Sequence, residues 1–560
     1  MKHTGAEILC KSLILEGVDV IFGYPGGAIM PVYDALLKYP KLRHILVRHE
    51  QGAAHAAEGY ARVTGKPGVC LVTSGPGATN LITGLADAMM DCVPLVCISG
   101  QVSSELIGND AFQEADVVGI TSMATKHNYL IDNPSEIAKA VKEAFHLANT
   151  GKPGPVMIDF TKDAQFAKTE YIKNLEVDLP GYKPVTKGNF FQIKKAAEEI
   201  NKSKRPLILA GHGVLISKAS SELLSLSQKA DIPVACTLHG LSSIPNAHKN
   251  YVGMLGMHGN LAPNVMTNKA DVLIGLGLRF DDRVTGKLDK YARQAKIIHV
   301  DIDPAEIGKN VDVEIPIVGD VKSVLEDLMP LINYANHKDW LEEFDKYKKE
   351  EEEKVIKIET KPRTGKIKMA EIVSCISSSA KSDAIIVADV GQNQMITARY
   401  STFLRPNSFL TSGGLGTMGF GLPAGIGAKV GRPEREVWII AGDGGFQMTI
   451  QEMMTIVQEN LNVKIAVLNN NFLGMVRQWQ DLFFEKKYSQ VHMQTPDFIK
   501  ISEGFGIKAE KVKERKDLIN AIGRARKHKG AYLLEFEVEM EANVFPIMPT
   551  GAAVDEMRLE

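Results

Sequence analysis

Short apolar runs closed by Gly or Pro recur along the chain and alternate with stretches of helical periodicity. DVIFGYPGG, GVCLVTSGPG, VPLVCISGQ and GPVMIDFTKD occupy the first third. RPLILAGHG, DVLIGLGLRF and KIIHVDIDP follow over roughly residues 190 to 335, and DAIIVADVGQ, EVWIIAGDGGF, VKIAVLNNN and AYLLEFEVE from about 380 to 540. Unbroken apolar runs suit strands buried on both faces, and their alternation with helices predicts βαβ units around parallel sheets. The chain therefore reads as α/β with three domains, each a mostly parallel sheet flanked by helices. The expected domains are 1–175, 188–335 and 367–540, with a charged linker at 336–366 and a tail at 541–560. Within the linker, Trp340, Leu341, Phe344 and Tyr347 form a narrow apolar stripe on what should be an otherwise solvated helix.

Composition narrows the function classes. Three domains suit 560 residues, too many for one core. Lys and Arg (65) nearly balance Asp and Glu (67), so no basic field exists to attract nucleic acid or anionic lipid. No apolar run approaches the ~20 residues of a membrane span, and Glu7, Lys11 and Glu16 break up the N-terminus before a secretory core can form. The expected setting is cytoplasmic, with no membrane and no nucleic-acid partner. Six scattered cysteines lack any CxxC pairing and read as reduced thiols.

In open α/β sheets ligands bind beyond the carboxyl ends of the strands, which is where the Gly-rich turns fall. Gly442-Asp443-Gly444 follows one apolar run, and Asn469-Asn470 ends another after 24 intervening residues. An Asp carboxylate and an Asn carbonyl from adjacent strand ends are hard oxygen ligands suited to Mg²⁺ and a diphosphate. The competing fingerprint, GxGxxG at Gly414–Gly419, follows no clear strand and lacks the acidic residue that ribose recognition needs. A carboxylate also stands after Ile45–Val47: Glu50 at the head of an Ala-rich helix, with Glu58 as its rival.

GDG followed at this distance by NN resembles the fingerprint of the thiamin diphosphate-dependent enzymes. RHEQGAAHAAEGYAR resembles their pyrimidine-binding motif. YPGGA, SGPGATN, DAFQE, TKHNYL, RFDDRVTGK, DVGQNQM, GTMGFGLPAG and NNNFLGMVRQWQ extend the likeness over nearly the whole chain. They resemble, within that family, the biosynthetic acetolactate synthase catalytic subunits. The resemblance implies a pyrimidine-binding first domain, a central FAD-binding domain and a diphosphate-binding third domain, with thiamin diphosphate, Mg²⁺ and FAD as cofactors. It implies decarboxylation of pyruvate and condensation of the two-carbon unit with pyruvate or 2-oxobutyrate, a homodimer or homotetramer, and a possible small regulatory subunit.

Carried over residue by residue, Glu50 becomes the cofactor-activating carboxylate and Glu58 structural. Gly27 offers a backbone N–H, and Phe112, Gln113 and Lys126 line the substrate channel. Thiamin diphosphate falls to Val390, Gly391, Gln392, Asn393, Gly416, Met418, Gly442, Asp443, Gly444, Gly445, Asn470, Phe472, Gly474 and Met475, and the metal to Asp443, Asn470 and the Phe472 carbonyl. FAD falls to Lys152, Gly211, Gly213, Thr237, Leu238, His258, Gly277, Arg279, Asp282, Arg283, Asp301, Ile302, Asp320 and Val321, and the substrate pocket to Ala28, Met475 and Trp479. Four positions depart from the usual pattern: Asn393 for His, Lys152 for Arg, His212 within a triple glycine and Ser103 for Pro. The tail segment FPIMPTGAA (545–553) is expected over the active site.

Overall fold

A computed structural model describes residues 2–173 and 175–560. Three six-stranded sheets, every pairing within them parallel, hold the apolar runs. Across the first sheet the strands are Arg43–Leu46, Val20–Gly23, Gly68–Val72, Leu95–Gln101, Pro155–Thr161 and His127–Ile131. The second runs Tyr251–Met254, Val234–Cys236, Pro206–Ala210, Val272–Leu276, Lys296–Asp301 and Ile315–Val318. The third runs Phe409–Leu410, Ile385–Ala388, Val437–Gly442, Lys464–Asn469, Tyr532–Glu537 and Lys508–Val512.

Within each sheet the strand order reverses at an internal pair, and loops leaving that point part to opposite faces and open a crevice. The three crevices fall between Val20–Gly23 and Gly68–Val72, between Pro206–Ala210 and Val272–Leu276, and between Ile385–Ala388 and Val437–Gly442. The Gly-rich turns of YPGGA, SGPGATN, RPLILAGHG, DVLIGLGLRF, DVGQNQM and GDG each leave a strand beside one of them.

First and third domains meet along two helices of small residues. The helix Glu50–Thr64 is capped by His49 and ended by Gly65 in the left-handed conformation (φ 70°). It packs on Gly421–Gly431 so closely that a Cβ at Gly59 would lie 2.0 Å from the Ala424 carbonyl oxygen, and one at Gly427 1.7 Å from that of Ala56. Only glycine permits that approach.

The charged linker departs from the expected solvated helix. Lys338–Glu351 is helical and continues through Glu352–Ile356 to Thr360. It docks on the central domain, with Trp340 and Phe344 in that domain's core and Trp340 Nε1 donating to the Pro206 carbonyl at 2.8 Å. Glu351 is buried too, accepting from Arg399, Asn260 and the Leu261 N–H. All six cysteines are free thiols. No helix is long and apolar enough to cross a membrane among the described residues.

Candidate active site

Parallel register sets Gly442 beside Leu468, so Asp443 and Asn470 emerge next to each other at the sheet's carboxyl end. Asp443 opens a helix and is only 1% exposed. Burial pushes its carboxyl up to about 7, against the pull of backbone N–H groups in its own turn and at Asn470, and Oδ2 has no hydrogen-bond partner among the described residues. A buried, unpartnered carboxylate oxygen is costly unless something charged meets it. Asn470 Oδ1 accepts from the Phe472 N–H at 3.1 Å and keeps a second lone pair. Asn469 is pinned from behind by Glu535 (2.8 Å), and Asn471 turns the chain at φ 56°. These donors fit a hard divalent cation.

The surrounding turns leave room for phosphates. Gly391 (φ 140°) precedes the helix Gln392–Tyr400, whose N-terminus stands at the same crevice. A Cβ at Gly474 would lie 2.3 Å from Gln392 Oε1, and one at Gly444 3.6 Å from the Met418 methyl, which places Met418 beside the GDG turn. Asp389 ties the segment after Met418 to the Gly391 turn, accepting from the Val390, Gly419 and Gly421 N–H groups at 2.7, 3.1 and 2.9 Å. Sequence reasoning missed Asp389. Asn393 donates through Nδ2 to the Asp389 and Ile440 carbonyls, so its amide hydrogens are committed to the strand ends.

Glu50 stands at the first crevice. It is half-buried, its Oε2 accepts from Asn80 Nδ2 at 2.9 Å, and its Oε1 would lie 3.6 Å from a Cβ at Gly77. Gly75 (φ 54°) backs onto the Gln113 carbonyl, and Gln113 itself is left-handed (φ 60°). Gly27 borders open space, and Ala28 is tied down through Thr73 and Gln165. Phe112 is 88% exposed. Glu58 is wholly buried instead, 2.9 Å from His55 Nδ1 and 3.6 Å from Arg62, with burial raising its carboxyl well above the ordinary range. Lys126 is not brought to this group: its Nζ donates to the Leu147 and Thr150 carbonyls and to the Tyr182 hydroxyl.

Among the described residues no hydrogen bond or ion pair joins the Glu50 group to the Asp443 group. Both domains carry exposed apolar side chains: Tyr24, Met30, Phe112 and Met123 in the first, Leu415, Met448, Val476 and Phe484 in the third.

A cavity of about 890 Å³ lies between all three domains at the central crevice. Every residue assigned above to FAD lines it except Gly211, as do Gly416, Met475 and Trp479. Gly211 shapes it from behind, since a Cβ there would meet the Gly277 carbonyl at 2.0 Å, and Gly277 is left-handed (φ 60°). Burial raises Asp301 to about 6, and burial with Arg399 and Arg283 lowers His258 to about 3, leaving a neutral ring whose Nδ1 has no partner among the described residues. Size, backbone approach and unpartnered polar atoms fit a dinucleotide. Lys152 is already held by Asp303 (3.0 Å) and Glu306 (2.9 Å).

The tail segment is tethered nearby. Arg477 and Gln392 donate to the Ala542 carbonyl, Gln478 bonds Val544, and Met548 N–H reaches the Met257 carbonyl at the cavity wall.

Three family models match the chain: thiamine pyrophosphate enzyme, N-terminal TPP binding domain over residues 3–120, central domain over 193–328 and C-terminal TPP binding domain over 389–536. Acetolactate synthase of Mycobacterium bovis is 46% identical over 99% of this chain and 91% of its own length. The probable acetolactate synthase large subunit of Methanocaldococcus jannaschii is 49% identical over 98% of this chain and 94% of its own. The acetolactate synthase large subunit of Corynebacterium glutamicum is 45% identical over the full chain and 90% of its own.

Proposed function

Because the chain belongs to the acetolactate synthase large subunits of the thiamine pyrophosphate enzyme family, we propose a division of its catalytic work between two faces of the molecule. The reaction is the thiamin diphosphate-dependent decarboxylation of pyruvate and condensation of the two-carbon unit with a second 2-oxoacid. With pyruvate as acceptor the product is 2-acetolactate, on the route to branched-chain amino acids. Bound thiamin diphosphate supplies the nucleophilic C2 and the electron sink.

The buried Asp443 carboxylate beside Asn470, with one oxygen unpartnered, carries this reading. Asp443, Asn470 and the Phe472 carbonyl would hold Mg²⁺, and the glycines of the GDG turn and Gly391 let the diphosphate approach the backbone. Met418, beside the GDG turn, would support the cofactor. Glu50, oriented by Asn80, holds a proton at the pyrimidine ring. Gly27 N–H faces developing negative charge, while Phe112 and Gln113 shape the substrate approach. Lys126 acts at the channel only after releasing the carbonyls it now binds. Met475 and Trp479 bound the acceptor pocket and favour the extra methyl of 2-oxobutyrate.

Glu50 and Asp443 stand in different domains with no hydrogen bond or ion pair between their groups among the described residues, and both domains carry exposed apolar side chains. Two copies pairing these surfaces would complete two centres, so a homodimer is the smallest active unit. The large cavity takes FAD as a structural cofactor, and a small regulatory subunit is a further partner suggested by the relatives' designation as large subunits.

Product analysis tests the reading: purified protein with pyruvate, thiamin diphosphate, Mg²⁺ and FAD, with and without 2-oxobutyrate. Acetolactate, with acetohydroxybutyrate dominant when both acceptors compete, is expected. Acetaldehyde, or flavin-dependent oxygen uptake, as the main outcome would overturn it.

A further inference from the structure

One carboxylate touches all three domains. Asp91 ends the helix Ile82–Asp91 of the first domain and is fully buried. Its Oδ2 accepts from Arg62 Nη2 at 2.7 Å and from the Gly413 N–H at 3.1 Å. Its Oδ1 accepts from the Gly414 N–H at 2.7 Å and lies 2.9 Å from His239 Nε2 of the central domain. Its carbonyl meets His212 Nδ1 at 2.9 Å. Burial works against ionisation, yet His239 and Arg62 hold this carboxyl well below the ordinary carboxylate range.

What Asp91 grips is the loop leading to the cofactor. One helical turn earlier, Asp87 accepts from Ser412 Oγ at 2.6 Å, and that hydroxyl in turn accepts from the Thr417 N–H at 2.8 Å. Both carboxylates therefore fix the segment 412–417, and Met418 follows it directly. The opposite side of the same junction is cavity wall. His212 and His239 stack on each other (ring centroids 5.1 Å apart, 27° between planes), and both line the 890 Å³ cavity with Asp91, Gly413 and Gly414. The Nε2 edge of His239 also abuts the loop, since a Cβ at Gly413 would sit 2.3 Å from it.

We propose that Asp91 is a positioning residue that ties filling of the large cavity to the shape of the 412–418 loop. A dinucleotide against His212 and His239 restrains the imidazoles, the imidazoles restrain Asp91, and Asp91 restrains the two glycine N–H groups that set Met418. The inference rests on the cofactor assignments above. Coupling through a shared contact is reciprocal, so each cofactor tightens the other by the same factor.

The test is equilibrium binding of thiamin diphosphate, with Mg²⁺, to the full-length protein with and without saturating FAD, read by calorimetry or tryptophan fluorescence. FAD should tighten thiamin diphosphate about fivefold or more in the unaltered protein, the lower end of ordinary coupling. Asp91→Asn should bring that ratio to within about twofold of one and weaken thiamin diphosphate even without FAD. His239→Ala, at a partly exposed ring, removes the cavity-side contact of Asp91 and leaves Arg62 and both glycine N–H groups on it. It should lose the coupling, with thiamin diphosphate affinity without FAD weakened less than in Asp91→Asn, and it serves where Asp91→Asn fails to fold. An undiminished ratio in His239→Ala, or independent binding in the unaltered protein, overturns the coupling alone. Failure of the protein to bind FAD at all overturns the cofactor assignment as well.

Discussion

The Asp443 and Glu50 regions lie beyond the carboxyl ends of two sheets of like strand order, Asp443 after a strand that borders the crevice and Glu50 after the edge strand Arg43–Leu46, and they are built to different degrees of completion. Around Asp443 the polar groups are buried and interlocked: Asn470 bonds the Phe472 N–H, Glu535 pins Asn469, and Asp389 gathers three N–H groups. Around Glu50 a single side chain, Asn80, fixes the carboxylate, and the neighbouring Phe112 projects into solvent. A region that must bind a dianionic ligand and a cation is preorganised by its own chain, because reorganising buried dipoles during reaction is costly. A region that acts on a ligand held elsewhere needs only a correctly aimed group and a surface to meet the other half.

The sharpest break in that contrast is Asp443→Asn. It should abolish Mg²⁺-dependent thiamin diphosphate binding and lower turnover on the order of 10³-fold or more, the scale of several kcal/mol of metal interaction. It should also leave the cofactor-free fold at least as stable, because an unpartnered buried carboxyl is replaced by a neutral amide. Calorimetric melting without cofactors checks this, and a large drop in melting temperature would contradict the account of Oδ2.

Glu50→Gln tests the other half. Activity should fall on the order of 10²- to 10⁴-fold, the range of a lost acid–base group, with thiamin diphosphate affinity within about tenfold of the unaltered protein. A collapse in cofactor affinity instead would mean that Glu50 belongs to the binding half.

Mixing the two inactive variants addresses their separation directly. If each centre takes Glu50 from one copy and Asp443 from another, random re-pairing yields mixed dimers with one intact centre each. Activity should return to about a quarter of normal. No recovery after confirmed subunit exchange would put both residues in one centre of a single chain.

Smallest is the acceptor effect. Trp479→Leu should shift the preference for 2-oxobutyrate over pyruvate by about 10-fold, the scale of one methylene in an apolar pocket, with total turnover reduced less. Competition between the two acceptors, scored by product ratio, measures it.

Sheets and crevices were legible because parallel strands buried on both faces leave unbroken apolar runs, with glycines marking where their loops diverge. GDG and NN were legible for a similar reason, since both chemistry and position are local. Long-range partners were not. Lys126 finds Tyr182, and Lys152 finds Asp303 and Glu306 some 150 residues away, so neither lysine projects freely as its motif implied. Trp340 and Phe344 form too narrow a stripe to announce a docked helix, and Glu351 reveals itself only through Arg399. Asp389 and Asp91 are single acidic residues at an element's end, a position that acidic residues occupy for many reasons.

The glycine and alanine seam between Glu50–Thr64 and Gly421–Gly431 has a consequence for how such proteins diverge. Backbone fits backbone there with no space for one added methyl, so the two helices are cut to one template. Exchange of the first domain alone between relatives should yield insoluble chimeras wherever the seam differs by a single side chain, whereas exchange of both domains together should not. The two helices are therefore a unit that can be exchanged only as a pair.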